Sequence, residues 1–507
     1  MSRLNRHLFP MFTGLAAGLV SLSVPLLRDL HWESAGAASL IIALYSGWLA
    51  AGPHLNYRYR AVKILGLLIG WSTPLFVFAL FTGCFSFDGL AFWFFGPIPS
   101  ALFGWAAGRA VSTYVPLHSR LWTMILLSTM AVLPLLIQFL TYPQLYFFNH
   151  IWSYWPGPIY DEIVFFDSRL VGFRFLTLLW VVVLWALPTA FRQKLSTLIV
   201  LLGTIAILFA YSHAAEWGWI TPEERIQQHL GGLHETTHFR IYYPPDSLTP
   251  EQLNDLEGRH ETYLAEITER LEIDRTIYRD QKIHSYIYIG ADQKKLLTGA
   301  GQTSFVPVWL KQDQLHINFS ALEPVLKHEL VHIVTKQFSN WFGASNSIGL
   351  VEGVAVALAP NRYPARINQL VAARPEWPGP EEIQTLFSFS GFYRSSGPVS
   401  YLVSGSFVQH LLENYPVDSF KAAFRSGDLE TSYAPLTAED LVESWHRILE
   451  GTEVDDEARS HSLALFQRPS IFQIPCPRVE KQRELRRETV IAEEVSPACL
   501  EQTASNN

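Results

Sequence analysis

Seven apolar stretches of about 20 residues fill the first part of this chain and restrict its fold more than any other feature. An α-helix of that length crosses the hydrocarbon core of a bilayer. The stretches cover roughly residues 8–27, 34–53, 64–84, 89–108, 121–140, 170–190 and 195–213. Because one stretch follows another, the first is an uncleaved anchor and not a signal peptide. We therefore predict a polytopic α-helical membrane domain of about seven spans at residues 1–213.

The charge of the chain changes where these stretches end. Residues 1–213 hold 12 Lys and Arg and 6 Asp and Glu, which leaves 26 and 40 for residues 214–507. Most basic residues of the first part lie before the first stretch and in the second, fourth and sixth loops, whereas the acidic ones lie in the first, third and fifth. Since basic loops stay in the cytoplasm, an odd number of spans places residues 214–507 outside, in the periplasm of a bacterium. Nothing in this balance predicts nucleic-acid binding.

Two details bear on the span count and the chemistry of the membrane domain. Residues 141–160 are uncharged and rich in Trp, Tyr and Pro, so we predict an interfacial or re-entrant segment; an eighth span would instead leave the second part in the cytoplasm. Arg174, the one charge within a stretch, is predicted to snorkel outward. The spans contain no acid that could pair with a base, which weakens a transporter function and favours an anchor or scaffold.

The second part has the pattern of a compact mixed domain. We predict a juxtamembrane linker at 214–237, an α+β domain at 238–425 and a helical C-terminal extension at 426–507. A long helix is expected in the α+β domain, together with strands at 238–243, 283–289, 304–310 and 314–319. Of the three cysteines, Cys476 and Cys499 could close a loop in an oxidising compartment, but their spacing leaves the pairing open.

The string His-Glu-Leu-Val-His at residues 328–332 is the motif that carries chemistry. It lies in a helix that a capping-box spacing predicts to begin at Ser320. Residues four apart share one helical face, so His328 and His332 can bind one metal ion. Glu329 beside them can hold a water that the metal acidifies. The motif predicts a zinc hydrolase.

Glu352 supplies a third ligand twenty residues after His332. It is the only charge in the apolar helical run 349–357, where a carboxylate is costly unless it is paired or bound to metal. Two His and one Glu leave the fourth position of zinc open, as in catalytic sites. The alternative to a metal site is a purely structural one, an amphipathic helix with two buried histidines.

A second string of the same form occurs at His234-Glu235-Thr236-Thr237-His238, with Glu257 downstream. Here the two threonines lead into the alternating run 238–243, which predicts a loop entering a strand. Residues four apart need not converge in such a segment, so a structural role is expected for this copy.

The motif at 328–332, Glu352 in its Glu-Gly-Val-Ala setting and the preceding strand together resemble the gluzincin clan of zinc metallopeptidases. Within the clan, residues of about 230–425 look most like the membrane-linked bacterial proteins with a peptidase MA-like domain. The resemblance implies a zincin-like fold, His328, His332 and Glu352 as zinc ligands, Glu329 as general base, and the strand 314–319 as the edge along which an extended peptide pairs.

The resemblance also implies an oxyanion-stabilising side chain further along the chain. Tyr401 is the first choice and Tyr393 the second, with a packed aromatic residue as the alternative for either. His410 on the following helix is expected to be structural. The Gly-x-Met-Glu-Asn signature of aminopeptidases is absent, so recognition of a free N-terminus is not implied.

The sequence therefore predicts a membrane-anchored zinc metallopeptidase that hydrolyses peptide bonds of extracytoplasmic proteins or peptides with a zinc-bound water and a Glu general base. Its expected partners are a peptide or protein substrate and the lipid bilayer of the bacterial inner membrane. The rival hypothesis is a sensor or assembly factor whose zincin-like domain binds a partner without catalysis. The intact Glu329 argues against that rival.

Overall fold

The computed structural model describes residues 3–52, 57–159, 162–307, 312–340, 343, 345–359 and 365–485, with side chains from Phe9 onward. The chain forms two compact units. Unit 1 comprises Met1–Pro222 and Ile474–Asn507, and unit 2 comprises Glu223–Gln473.

Unit 1 is built mainly of apolar helices. In chain order, α1 to α8 are Arg3–Ser23, Trp32–Ala50, Tyr57–Thr82, Phe87–Phe95, Pro97–Tyr114, Ser119–Thr141, Ser168–Ala186 and Lys194–Ser212. Within the described residues, five segments are long and apolar enough to cross a membrane: Tyr57–Thr82, Phe87–Tyr114, Ser119–Thr141, Ser168–Thr189 and Lys194–Ser212. These helices support the predicted membrane association. Every predicted stretch is largely helical, while the count of seven spans stays a prediction.

Small residues let the helices of unit 1 approach closely. A Cβ atom added to Gly104 on α5 would lie 2.1 Å from the carbonyl oxygen of Ala43 on α2, and one on Gly108 would lie 2.3 Å from that of Gly47. Glycines spaced four apart are a common means of close helix packing in membranes, where lipid removes the hydrophobic drive for association. The α2–α5 contact therefore depends on the absence of side chains at these positions.

Residues 142–159 form no helix, so an eighth span is absent from this segment. Strands β1 (Phe147–Asn149) and β2 (Ser153–Trp155) pair as an antiparallel hairpin. Pro134 in α6 has no N–H and frees the carbonyl of Met130, to which Asn149 Nδ2 donates at 2.9 Å. The hairpin is thus bonded to a proline-interrupted helix, a form of irregular backbone that protein surroundings permit at membrane depth.

The prediction that Arg174 snorkels outward is wrong, because its side chain is buried. Its Nε donates to the Phe95 carbonyl at 2.7 Å and its Nη2 to the Gly96 carbonyl at 2.6 Å. These carbonyls lie at the break between α4 and α5, where Pro97 and Pro99 lack the N–H groups of a continuous helix. Backbone acceptors inside unit 1 therefore satisfy the guanidinium.

Unit 2 places helices on both faces of a small sheet. Its strands are β3 (Gly232–Glu235), β4 (Phe239–Tyr243), β5 (Ile283–Tyr288) and β6 (Gln314–Asn318). They adjoin in that order, with β3 antiparallel to β4 and the other pairs parallel. In chain order, α9 to α22 are Glu223–Leu230, Pro250–Arg270, Ile277–Asp280, Ala291–Thr298, Leu322–Thr335, Ile348–Leu358, Ile367–Ala372, Pro380–Phe387, Phe389–Arg394, Ser404–Asn414, Val417–Ser426, Leu429–Ser432, Ala438–Glu450 and Asp456–Phe466.

The two faces of the sheet follow from alternation along its strands. Ile241, Ile287 and Ile317 join the main apolar core, which also holds the buried faces of α10 and α13. Tyr242 and Tyr286 face the other way, into a smaller cluster with residues of α9 and α12. A side chain period of two residues thus produces three layers and fixes α13 against one face.

The two units divide the chain differently from the predicted boundaries. The predicted linker 214–237 includes α9 and β3, an edge strand of the sheet. The predicted extension 426–507 also divides, since α20 to α22 belong to unit 2 and residues from Ile474 onward belong to unit 1. The alternation of 232–235 is too short to predict a strand alone, and its partner β4 provides the hydrogen bonds.

The pairing of the cysteines also differs from the one considered from sequence. Cys476 forms a disulfide with Cys84, 392 residues away, and not with Cys499, which lies outside the described residues. Both bonded cysteines are buried in unit 1. The bond joins a cysteine just after α3 to one far along the chain, and sequence spacing cannot predict such a pairing.

Candidate metal centre

Helix α13 carries the motif at 328–332 and follows β6 directly. The predicted capping box is wrong: the helix begins at Leu322 after the 3-10 turn Phe319–Ala321, and its N-cap Ala321 offers no side-chain cap. Glu323 pairs with Arg259 of α10 instead. Burial of one face, including the fully buried Leu326 and Leu330, holds the helix in place. Tertiary packing therefore replaces the missing cap.

Helix α14 carries Glu352 and begins with a defined cap. Ser347 Oγ accepts a hydrogen bond from the Leu350 amide at 3.3 Å and donates one to the Phe387 carbonyl at 3.2 Å. Leu350 and Val354 are fully buried in the main core. This cap and this buried face set the rotation of α14, which turns Glu352 toward α13.

The structure brings the three predicted ligands together. Glu352 Oε2 lies 3.4 Å from His328 Nε2 and 3.6 Å from His332 Nε2. The two Nε2 atoms are 3.3 Å apart. Among the described residues, this is the one group of three or more His, Cys, Asp or Glu side chains whose candidate ligand atoms converge. The three predicted ligands thus lie together, while their role as metal ligands stays a prediction.

The spacing of these three atoms fits a tetrahedral zinc ion. With metal–ligand distances of about 2.0–2.1 Å, two ligands of a regular tetrahedron are separated by about 3.3–3.4 Å. The three observed separations span 3.3–3.6 Å. Two imidazoles and one carboxylate are also a donor set that zinc accepts while keeping one position open. The residues present therefore fit the predicted metal.

The electrostatics of the group favour the protonation states that a metal requires. Burial lowers the pKa of His332 to about 4, although Glu352 opposes this shift. Burial alone would raise the pKa of Glu352, but His332 and His328 hold it below its usual value. At neutral pH the imidazole of His332 is thus neutral and Glu352 is ionised, so both can donate a lone pair.

Glu329 is also placed as predicted, next to His328 on α13. Its side chain is mostly buried, with 7% of the residue exposed. A carboxylate at this position, adjacent in sequence to a predicted metal ligand, is the group expected to act as general base.

The second string at 234–238 forms no metal group. His234 lies on β3 and its Nε2 is 2.8 Å from Glu257, whereas His238 Nδ1 is 2.6 Å from Glu261. Both acids lie on α10, four residues apart. The two histidines thus bind two separate carboxylates and fasten the β3–β4 turn to α10, in keeping with the structural role expected from sequence.

The two candidate tyrosines lie on elements that contact α14. Tyr401 belongs to the π-helical turn Val399–Val403, immediately before α18, and packs edge-on against Phe392 at 5.2 Å between ring centroids. Tyr393 lies on α17 and also contacts Phe392. Because π turns recur at functional sites, the backbone favours Tyr401, a feature that residue spacing does not reveal.

His410 on α18 has the structural surroundings expected of it. Its Nε2 lies 2.6 Å from Ser444 Oγ and its Nδ1 lies 3.1 Å from Asn414 Nδ2. The side chain is buried. It thus joins α18 to α21.

The predicted peptide-binding edge is partly occupied. β6 is the last strand of the sheet, but Phe305 pairs with His316 at its centre: each amide donates to the other carbonyl, at 3.3 and 3.1 Å. The predicted strand 304–310 is reduced to this single bridge, and residues 308–311 lie outside the described part. A peptide cannot bond to His316 directly, so the expectation for 314–319 is wrong at that position.

Two buried lysines hold this outer segment, and the sequence analysis missed both. Lys294 Nζ donates to the Thr303 carbonyl, and Lys336 Nζ donates to the carbonyls of Pro307 at 3.1 Å and Gln312 at 2.6 Å. Lysine is almost never fully buried without partners. Lys336 Nζ also lies 3.8 Å from Asp313 Oδ1, but the backbone carbonyls that both lysines bind leave no signal in a sequence.

Comparison with known proteins adds no family to this description. No protein-family model matches the chain, and no curated protein matches it significantly. The geometry of the centre therefore carries the functional argument.

Proposed function

We propose that this chain is a multi-pass membrane zinc metallopeptidase of the gluzincin type. The observation that carries the proposal is the set of separations of 3.3–3.6 Å among His328 Nε2, His332 Nε2 and Glu352 Oε2. These separations match the edges of a zinc tetrahedron, about 3.3–3.4 Å. A closed structural site would need a fourth protein ligand, and the described residues bring none to this group.

The residues of the chain divide the work of hydrolysis. His328, His332 and Glu352 hold the ion, which when bound polarises the scissile carbonyl and makes a water more acidic. Glu329 accepts the proton of the attacking water and passes it to the leaving amine. Tyr401 donates its hydroxyl hydrogen to the oxyanion of the tetrahedral intermediate.

The proposed location is the bacterial inner membrane, with the N-terminus cytoplasmic, seven spans and unit 2 in the periplasm. The charge of the loops supports this orientation. The Cys84–Cys476 disulfide supports it independently, since disulfides persist in oxidising compartments. The substrate class is a peptide or an extracytoplasmic protein.

Glu329→Gln in the full-length protein tests this function. Purified wild-type protein should contain about one zinc per chain and cleave unfolded casein, whereas the variant should keep zinc and lose turnover. Glu235→Gln is the matched control, because Glu235 occupies the same place in the second string and is exposed. Cleavage by Glu329→Gln at the wild-type rate would rule out the mechanism. A wild-type protein that keeps zinc but cleaves nothing would favour a partner-binding role without catalysis.

A further inference from the structure

The chain leaves unit 2 after Gln473 and returns to unit 1. We call residues 474–485 the return segment; its residues 477–485 are helical. Cys476 and Val479 are buried in the apolar core of unit 1. A terminal segment buried in this way is an integral part of the unit that it joins.

An arginine of the return segment lies in an acidic pocket of unit 1. Arg478 Nε is 2.7 Å from Glu33 Oε1, and both side chains are less than a tenth exposed. Its guanidinium also lies over the ring of Trp32, 5.6 Å from the centroid. Planar and delocalised, a guanidinium suits a site that combines a carboxylate with an aromatic face.

The pocket holds a second buried acid beside Glu33. Asp29 and His31 are buried beside Glu33. Burial and the neighbouring Glu33 raise the pKa of Asp29 to about 7, while Arg28 and Arg478 oppose this shift. A buried carboxylate cluster of this kind is costly when it has no cation. Arg478 therefore places positive charge beside a buried carboxylate, Glu33.

Three separate loops of unit 1 hold the rest of the segment. Arg28 Nη2 donates to the Ile474 carbonyl at 2.6 Å, Gln482 Nε2 donates to the Val164 carbonyl at 2.6 Å, and Arg483 donates to the Gly83 carbonyl. These contacts come from the first, third and fifth loops, which the charge pattern assigns to one side of the membrane. The return segment thus binds where these loops meet.

We propose that this surface of unit 1 is a recognition site for an arginine-bearing helix, and that its occupant is the return segment of the same chain. The Cys84–Cys476 bond locks this helix in place within unit 1. In forming that bond, each thiol gives up one proton and one electron to a protein disulfide of the oxidising compartment, which is reduced to two thiols. Unit 1 thus has a function, the binding of the return segment, that does not depend on a metal ion.

Cleavage of the full-length protein beside the segment tests the lock. A site for a sequence-specific protease is placed at the exposed residues 467–469, with Cys499→Ser and an affinity tag at the C-terminus. After cleavage, the tagged fragment should remain with the N-terminal fragment on a denaturing gel without reductant and separate when reductant is added. Separation without reductant would overturn the proposed lock.

The release rate of the cut segment tests the arginine pocket. In mild detergent, with Cys84→Ser and Cys476→Ser or with a reducing phosphine, Arg478→Met should release the tagged fragment at least about tenfold faster than wild type. Glu484→Gln, an exposed change on the same helix, should release it at the wild-type rate. The double variant Glu33→Gln/Arg478→Met removes both partners of this ion pair, so no unpaired charge remains there. It should also release the tagged fragment faster than wild type. Equal rates in these arginine variants and in wild type would overturn the pocket.

Discussion

Gly353 lies so close to Ser404 that a Cβ atom on the glycine would be 2.8 Å from the serine carbonyl oxygen. Gly353 follows Glu352 on α14, and Ser404 is the first residue of α18, directly after the π turn of Tyr401. The same added atom would be 2.7 Å from Val408 Cγ2. The candidate third ligand, Glu352, and the candidate oxyanion donor are therefore set relative to each other by a helix contact that only glycine allows.

Gly353→Ala should lower the stability of unit 2 and weaken zinc binding. The methyl group has no space, and overpacking of this kind costs about 1–3 kcal/mol. Thermal unfolding in detergent and competition with a zinc chelator measure the two effects. Gly258→Ala is the control: nothing lies within 4 Å of its added Cβ on α10, so it should stabilise by up to about 1 kcal/mol. Equal behaviour of the two variants would contradict the close contact.

His328→Ala, His332→Ala and Glu352→Gln should each remove most of the bound zinc. Each variant takes away one of three ligands whose atoms converge, whereas His234→Ala changes a histidine paired with Glu257 and should leave about one zinc per chain. Elemental mass spectrometry on purified full-length protein gives the zinc content. Zinc that is lost only in His234→Ala would move the site to the second string and withdraw the peptidase proposal.

Tyr401→Phe should reduce kcat by about 10²- to 10³-fold while zinc content and KM change little, because loss of one oxyanion donor acts on the transition state. Tyr393→Phe is the matched comparison, since it lies on a neighbouring element and also contacts Phe392. Steady-state cleavage of a casein-derived peptide provides both constants. A kcat loss confined to Tyr393→Phe would transfer the role to that residue.

Unit 2 should lose stability as the pH falls from 6.5 toward 4, in part because of His260. This residue is fully buried between the Leu256 carbonyl and Ser285 Oγ, and burial lowers its pKa to about 4. Between pH 6.5 and pH 4, His260 binds a proton in the unfolded chain but not in the folded chain. Acidification across this range therefore lowers the free energy of unfolding by roughly 3 kcal/mol.

His260→Gln should reduce the loss of stability between pH 6.5 and pH 4. The unfolding midpoint is measured against pH for wild type, for this variant and for His229→Gln, which changes an exposed histidine on α9. His229→Gln should keep the wild-type slope. An unchanged slope in His260→Gln would show that other groups cause the acid sensitivity.

The sequence predicted those parts of the fold and site that depend on local periodicity. The apolar stretches, helices α13 and α14 and the convergence of His328, His332 and Glu352 follow from side chains repeated on one face of a helix. For the three side chains to converge, α14 must also pack on α13. The apolar residues around Glu352 indicated that packing.

The rest depends on backbone partners that have no sequence signature. Arg174 was predicted to reach outward because it is charged, yet the backbone carbonyls of Phe95 and Gly96 bind it inside unit 1. Phe305 covers His316 through backbone bonds that any residue could make. Cys84 was not considered as a partner of Cys476 because nothing local relates residues so far apart. Each error arose where distant segments supply the hydrogen bond or covalent bond.

The burial of Cys476 and Val479 in unit 1 also dictates an order of assembly. These residues are synthesised after all of unit 2, so the helices made first must wait for the last part of the chain before their core is complete. Most contacts of a chain that folds during synthesis form between neighbours, but this core includes Cys84 and Cys476, which are 392 residues apart. Completion of unit 1 therefore follows the synthesis of unit 2, and a chain that stops short of residue 474 leaves the core of unit 1 without Cys476 and Val479.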